Sequence, residues 1–218
     1  MLGFSLLERS IVPATTTSEE RIKVIPKLSE TKHAKVSAMT PSLLQRDLPV
    51  NIFLVMGSSI ALVLASSLMM GPLIVDIAAD FNTSVSKTGQ FASATFIAWA
   101  IGAPLTGPIS DSYGRRPIAL IGVGLVGTGL LGCSLSINYE MMFAFRLLTG
   151  FGSAMILPNS AAVVADLVSP QTRGKYIGRL TGIGTIATAL GAPIAAMLIN
   201  FGTWRTSFLA FGTIALLV

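Results

Sequence analysis

The chain has 218 residues, of which 52% are hydrophobic and only 11% charged, with a formal net charge of +5. A mean hydropathy of +0.73 places it among polytopic membrane proteins and excludes an ordinary soluble domain. The positive residues cluster at the ends of apolar segments rather than in a patch or arm, so the charge does not point to nucleic acid. The lone Cys133 allows neither an intrachain disulfide nor a Cys-based metal cluster.

Residues 1–47 differ from everything after them. They mix Arg9, Arg21, Lys23, Lys27, Lys32, Lys35 and Arg46 with Glu8, Glu19, Glu20, Glu30 and Asp47, and include a Thr/Ser-rich patch. This composition reads as a flexible cytoplasmic tail. The opening MLGFSLLERSIV is apolar but short and lacks a positive n-region, so it is a poor signal peptide. An amphipathic turn or two there would suit a membrane interface. Pro41 and Pro49 bracket SLLQRDL, which reads as a short helix leading into the membrane.

From residue 48 onward the pattern is all-α, with six apolar segments at about 50–75, 89–109, 117–136, 140–164, 176–199 and 204–218. About 20 apolar residues span a bilayer as one helix. Gly71-Pro72 marks a kink near the far end of the first segment. Asp76 and Asp80 follow, and NTSVSKTGQ forms the outside loop. The GPISDSYGRRP stretch, residues 107–117, is a compact polar island between two long uncharged runs and reads as a tight turn on one membrane surface. The short SINYE connection makes segments three and four an antiparallel pair, and ADLVSPQTRGKY is the next inside loop. Segment six is too short to cross about 30 Å of hydrocarbon as a regular helix. The expectation is a sequence that stops early, with its sixth helix incomplete.

Chemistry-bearing residues are few. Glycines three and four apart in segments three and five (Gly122, Gly124, Gly127, Gly129 and Gly132; Gly178, Gly182, Gly184 and Gly191) suit close helix packing, and Pro193 adds a bend. Arg146 lies inside an apolar helix, where facing lipid costs several kcal/mol, so it should face the bundle interior or a water-filled cavity. Snorkelling to the outer headgroups is the structural alternative. Asp76 is the candidate acidic charge of helix one, either near Arg146 or at the outer boundary. Among enzyme motifs there is no phosphate-binding loop with lysine, no zinc pair and no acyl-transfer triad, and the only histidine, His33, is in the tail. The chain reads as a non-enzyme without cofactors.

Four of these stretches resemble the major facilitator superfamily, particularly its drug:proton antiporters. Residues 107–117 resemble the signature of the loop between helices two and three. Arg146 to Gly152, running on to Pro158, resembles the helix-four signature. The stretch from Thr188 to Pro193 is similar to the bent antiporter signature of helix five, with Ala192 and Ala195-Ala196 where glycines are usual. Trp204 to Phe208 resembles the start of helix six.

The resemblance covers residues 48–218 and implies the N-terminal half of a fold built as two six-helix halves around a central cavity. Gly107, Asp111, Gly114, Arg115 and Arg116 would then form a cytoplasmic gate motif, with Asp111 and Arg115 as a latch. Arg146 would serve proton coupling, and Gly182, Gly191 and Pro193 would shape a hinge. The implied partners are a small organic solute, protons, membrane lipid, and a missing C-terminal half or a second copy. The implied activity is proton-coupled efflux in a plasma or inner membrane. A proton-driven importer and a truncated or partner-dependent protein that does not transport are the alternatives.

Orientation follows from the positive residues. An inside N-terminus leaves seven in the tail, two at Arg115 and Arg116, and three at Arg173, Lys175 and Arg179. Only Lys87 and Arg205 fall outside, and cytoplasmic loops retain the Lys and Arg excess. In a Cys133-free background in sealed cells, an impermeant thiol reagent should therefore label a cysteine placed at Ser84 and spare one placed at Ser112. The reverse pattern would overturn this topology.

Overall fold

A computed structural model describes residues 48–218. The N-terminal tail, the interfacial turn and, apart from Leu48, the helix expected over SLLQRDL lie outside the described residues. Within them, regular structure is helical throughout: α1 (Val50–Leu68), α2 (Met70–Asp80), α3 (Val85–Tyr113), α4 (Arg115–Ser134), α5 (Tyr139–Leu167), α6 (Pro170–Ile199) and α7 (Trp204–Leu217). Hydrocarbon offers no water to unpaired N–H and C=O groups, so a span must close its backbone bonds internally. Five helices, α1, α3, α4, α5 and α6, are long and apolar enough to cross a membrane. The chain is a polytopic all-α membrane protein. Helix α7 has 14 residues.

Local chemistry sets where the helices stop. Pro72 lacks the N–H that would bond the Leu68 carbonyl, so the break falls at Met69, before the Gly71-Pro72 pair expected to carry it. Asp76 consequently sits within α2 rather than beyond the end of the span. Its neighbours Leu73 and Ile77 form the fully buried stripe, while Asp76 lies off it and is exposed.

The polar island at 107–117 is not a loop either. Helix α3 continues through Tyr113 and α4 starts at Arg115, so a single residue links them. That residue, Gly114, has a φ of 95°, which an L side chain adopts only with strain. Helix α6 begins at Pro170, earlier than the expected 176, because a first-turn proline gives up an N–H that has no helical partner anyway. At the opposite ends the Ser84 Oγ accepts the Lys87 N–H at 3.2 Å and the Asn138 Oδ1 accepts the Met141 N–H at 2.8 Å. Thr203 and Thr206 cap α7 reciprocally.

Helix α5 packs on both α3 and α4, α1 packs on α6, and α7 packs on α4. Within a bilayer these contacts depend on backbones coming close, since lipid tails are as apolar as leucine. A Cβ at Gly152 would meet the Gly122 carbonyl of α4 at 2.7 Å, and one at Gly150 would meet the Thr95 backbone of α3. Gly191 seats α6 on the backbone of Ala65 in α1. Gly182 does not share this role. A Cβ there meets nothing within 4 Å, and the packing glycine in that part of α6 is Gly184, against Ile60 and Leu64. Helix α6 stays helical through Pro193, which is exposed.

Gly150→Ala and Gly191→Ala should each destabilise the bundle by about 1–3 kcal/mol, because a methyl is driven into a neighbouring backbone. Gly182→Ala should be neutral or stabilise by up to about 1 kcal/mol through helix propensity. Thermal unfolding of the purified variants in one detergent checks the contrast. Equal melting of all three would count against this packing.

Candidate functional site

Four arrangements carry charge or line space. The first lies at the Gly114 end of the bundle. With α3 and α4 joined by one residue, Arg115 at the start of α4 falls one turn from Asp111 near the end of α3. Its Nη2 meets the Asp111 Oδ1 at 2.6 Å and its Nε meets the Asp166 Oδ2 at 3.1 Å. The Nη1 donates to the Ser110 Oγ at 2.6 Å. Below this fork the Asn159 Nδ2 of α5 donates to the Arg115 carbonyl at 2.7 Å. One guanidinium thus ties the end of α3, the start of α4 and the end of α5 together, using its planar fork to hold two carboxylates at once. Arg116 is exposed and forms no ion pair among the described residues, and Gly107 faces open space.

The second arrangement surrounds Arg146 of α5, two turns in from the helix start, or about 10 Å. It is 1% exposed, so it faces the bundle interior and does not snorkel to headgroups. Its guanidinium carbon stands 4.7 Å from the centroid of the Phe208 ring of α7. The Thr95 Oγ1 of α3 donates to its backbone carbonyl at 3.3 Å. Its Nε and Nη2 have no partner among the described residues. The aromatic face offsets part of the burial cost. Asp76 is not brought to Arg146, and the ion pairs among the described residues do not include it.

At the end of the bundle remote from Gly114, Arg205 of α7 reaches the Asp80 Oδ2 of α2 at 2.6 Å and the Ser136 carbonyl at 2.8 Å. The Trp204 Nε1 shares the same Asp80 oxygen at 3.2 Å. Trp204 also stacks edge-on with Phe81 and with Phe208, both at 5.7 Å between centroids, so this clasp is continuous with the ring beneath Arg146.

The fourth arrangement is a concave face. Two adjoining hollows of about 140 and 200 Å³ share Leu64, Leu157 and Thr188. Their walls come from α1, α3, α5 and α6, with nothing from α4 or α7. Apolar side chains and hydroxyls line them, together with Trp99, and no ionisable group does.

The profile of the Major Facilitator Superfamily matches residues 55–218. The chain belongs to that superfamily. It is 34% identical over 146 residues to the efflux pump dotC of Dothistroma septosporum (strain NZE10 / CBS 128990), covering 63% of this chain and 25% of that protein. With the multidrug transporter MdfA of Yersinia pestis bv. Antiqua (strain Angola) it shares 30% identity over 151 residues, covering 67% and 36%. Among solved structures, the inward-open xylose transporter XylE of E. coli superposes with a TM-score of 0.66 at 22% identity, over 77% of this chain and 46% of that one. The chain therefore spans about a quarter to under a half of the length of these proteins.

In this superfamily member, sequence reasoning missed Asp166, Asn159 and Trp99. A signal for Asp166 exists. It is an acid at the end of the fourth span, on the same surface as two arginines that open the third. Asn159 and Trp99 lie within apolar helices and carry no such marker. Asp166 and Asp111 are more than half exposed as side chains, so solvent screens their pairing. Asp166→Asn should cost under about 1 kcal/mol, whereas Asn159→Ala breaks a bond made by a side chain that is 2% exposed and should cost about 1–3 kcal/mol. Denaturation of the two variants in one detergent tests that order, and a larger loss for Asp166→Asn would reverse the assignment of which contact holds this end together.

Proposed function

We propose that this chain forms one wall of a secondary transporter that exports small organic solutes at the expense of a proton gradient, with the N-terminus and the Gly114 end cytoplasmic. The concave face of α1, α3, α5 and α6 carries this reading. It is an uncharged, hydroxyl-dotted apolar surface of the kind that takes up small organic molecules, and α4 and α7 pack away from it. The relatives, an efflux pump and a multidrug transporter, favour outward movement. The opposite wall would come from further polypeptide or from a second copy.

In this reading Asp111, Arg115 and Asp166 hold the cytoplasmic ends of three helices as one latch, which a matching half would engage in one state and release in the other. Gly191 gives α6 the close seat on α1 about which a rocking wall would turn, and Pro193, which has no N–H to donate, is the place where α6 would flex. Arg146 serves coupling. An uncompensated guanidinium inside the bundle favours the ionised form of any carboxylate that approaches it, so its field converts a conformational change into proton release.

Arg146→Gln should abolish pH-gradient-driven transport while leaving insertion and expression near normal, because the change removes a buried charge that has no acidic partner. Arg146→Lys, which keeps the charge and loses the fork, should retain part of the activity. The measurement is flux in proteoliposomes carrying the intact transporter, normalised to inserted protein. Normal coupling in the glutamine variant would rule out the coupling role.

A further inference from the structure

The hydroxyls on the concave face have a shared bonding state. In the smaller hollow, the Ser67 Oγ lies 2.8 Å from the Val63 carbonyl and the Thr95 Oγ1 lies 3.1 Å from that of Phe91. The Ser153 Oγ is 2.8 Å from the Thr149 carbonyl, and the Thr188 Oγ1 is 2.8 Å from that of Gly184. A carbonyl oxygen can only accept, so each hydroxyl commits its single proton to the backbone, that of Thr95 being shared with the Arg146 carbonyl of α5 at 3.3 Å. What each oxygen has left is lone-pair capacity. The remaining N–H donor in this hollow, the Trp99 Nε1, is closed off from the surface and unpaired.

Back-bonding is the habit of Ser and Thr in membrane helices. Its consequence here arises because four of them open on one concavity that holds no charged group. In the adjoining hollow Ser160 and Thr185 donate inward in the same way, at 2.8 and 3.0 Å. Thr181, two turns of α6 from Thr188, makes no such bond.

We infer that this wall selects uncharged apolar solutes that carry an N–H or O–H donor, such as phenols and aryl amines, and discriminates against solutes whose polar atoms only accept. The inference rests on the reading of this face as a solute wall. A donor on the solute finds an oxygen with a free lone pair and an apolar surround that strengthens the bond. A carbonyl, ether or carboxylate finds no accessible free proton in the smaller hollow, because the unpaired Trp99 N–H is closed off from its surface. It must remain unpaired in an apolar site or compete for a proton already held by the helix. Anions fare worst, since the hollow offers no positive charge. Phe96 and Trp99, with ring centroids 6.3 Å apart, supply the flat apolar surface for an aromatic frame.

The test compares 4-butylphenol with its methyl ether, which differ in the donor. Tritiated 4-butylphenol is bound to the purified 218-residue chain in lipid nanodiscs and competed with either unlabelled compound, after subtraction of uptake by protein-free discs. The phenol should compete about tenfold more strongly than the ether. Thr188→Val, nearly isosteric, should lower that ratio, and the Ser153→Ala, Thr188→Val double variant should bring it close to one while saturable binding persists. Saturable binding with equal competition by phenol and ether overturns the inference and leaves the solute wall standing. So does an undiminished preference in a double variant whose melting temperature is unchanged. Absence of saturable binding by either probe overturns the solute wall, and the inference with it.

Discussion

Helix α5 can lie against both α3 and α4 at backbone distance because it presents glycine to each. Gly150 faces the Thr95 backbone on one side, and Gly152 meets Gly122 on the other. The polar contacts between α5 and α4 depend on that closeness. The Asn159 amide reaches the Arg115 carbonyl, and Asp166 reaches the Arg115 guanidinium, only because α5 and α4 run so near each other. A bilayer supplies no hydrophobic force between helices, so shape takes over the work that oil–water separation does in a soluble core. The second seat, Gly191 on Ala65, does the same for α6 and α1. The concave face is what remains once these pairs have closed.

Charge is distributed accordingly. Both ends of the bundle are fastened by an arginine that serves two helices or more, Arg115 at one and Arg205 at the other. Both sites are partly exposed, and their value lies in geometry more than in energy. Arg146 is the opposite case, a buried charge facing an aromatic ring instead of an acid. A structure that retains such a group carries a cost for it unless the field it generates is used.

Much of this was legible in the sequence, for definable reasons. Long uncharged runs announce membrane helices because the backbone has no alternative in hydrocarbon, and the superfamily signatures mark Asp111, Arg115 and Arg146. Helix ends were less legible. The polar stretch around Asp111 looked like a loop because polarity usually signals one, yet a helix can project beyond the bilayer and stay helical, as α3 does to Tyr113. Gly182 looked like a packing glycine because spacing alone does not say which face of α6 is covered. Asp166 escaped notice because its partner is 51 residues away. No local pattern announces a contact between two helix ends, although topology places both on one surface.

The clasp at Asp80 has a bearing on the order in which the protein is made. Its three anchor points are Asp80, the Ser136 carbonyl and the side chain of Arg205, so the last partner is supplied only when α7 begins. Synthesis runs from the N-terminus, and every earlier helix must insert while the Asp80 carboxylate lacks the guanidinium that later neutralises it. Closing the clasp therefore waits for α7. A nascent chain whose α2, α4 and α7 have not come together has no means of making it, and the bond between residues 80 and 205 records that α7 has joined the bundle.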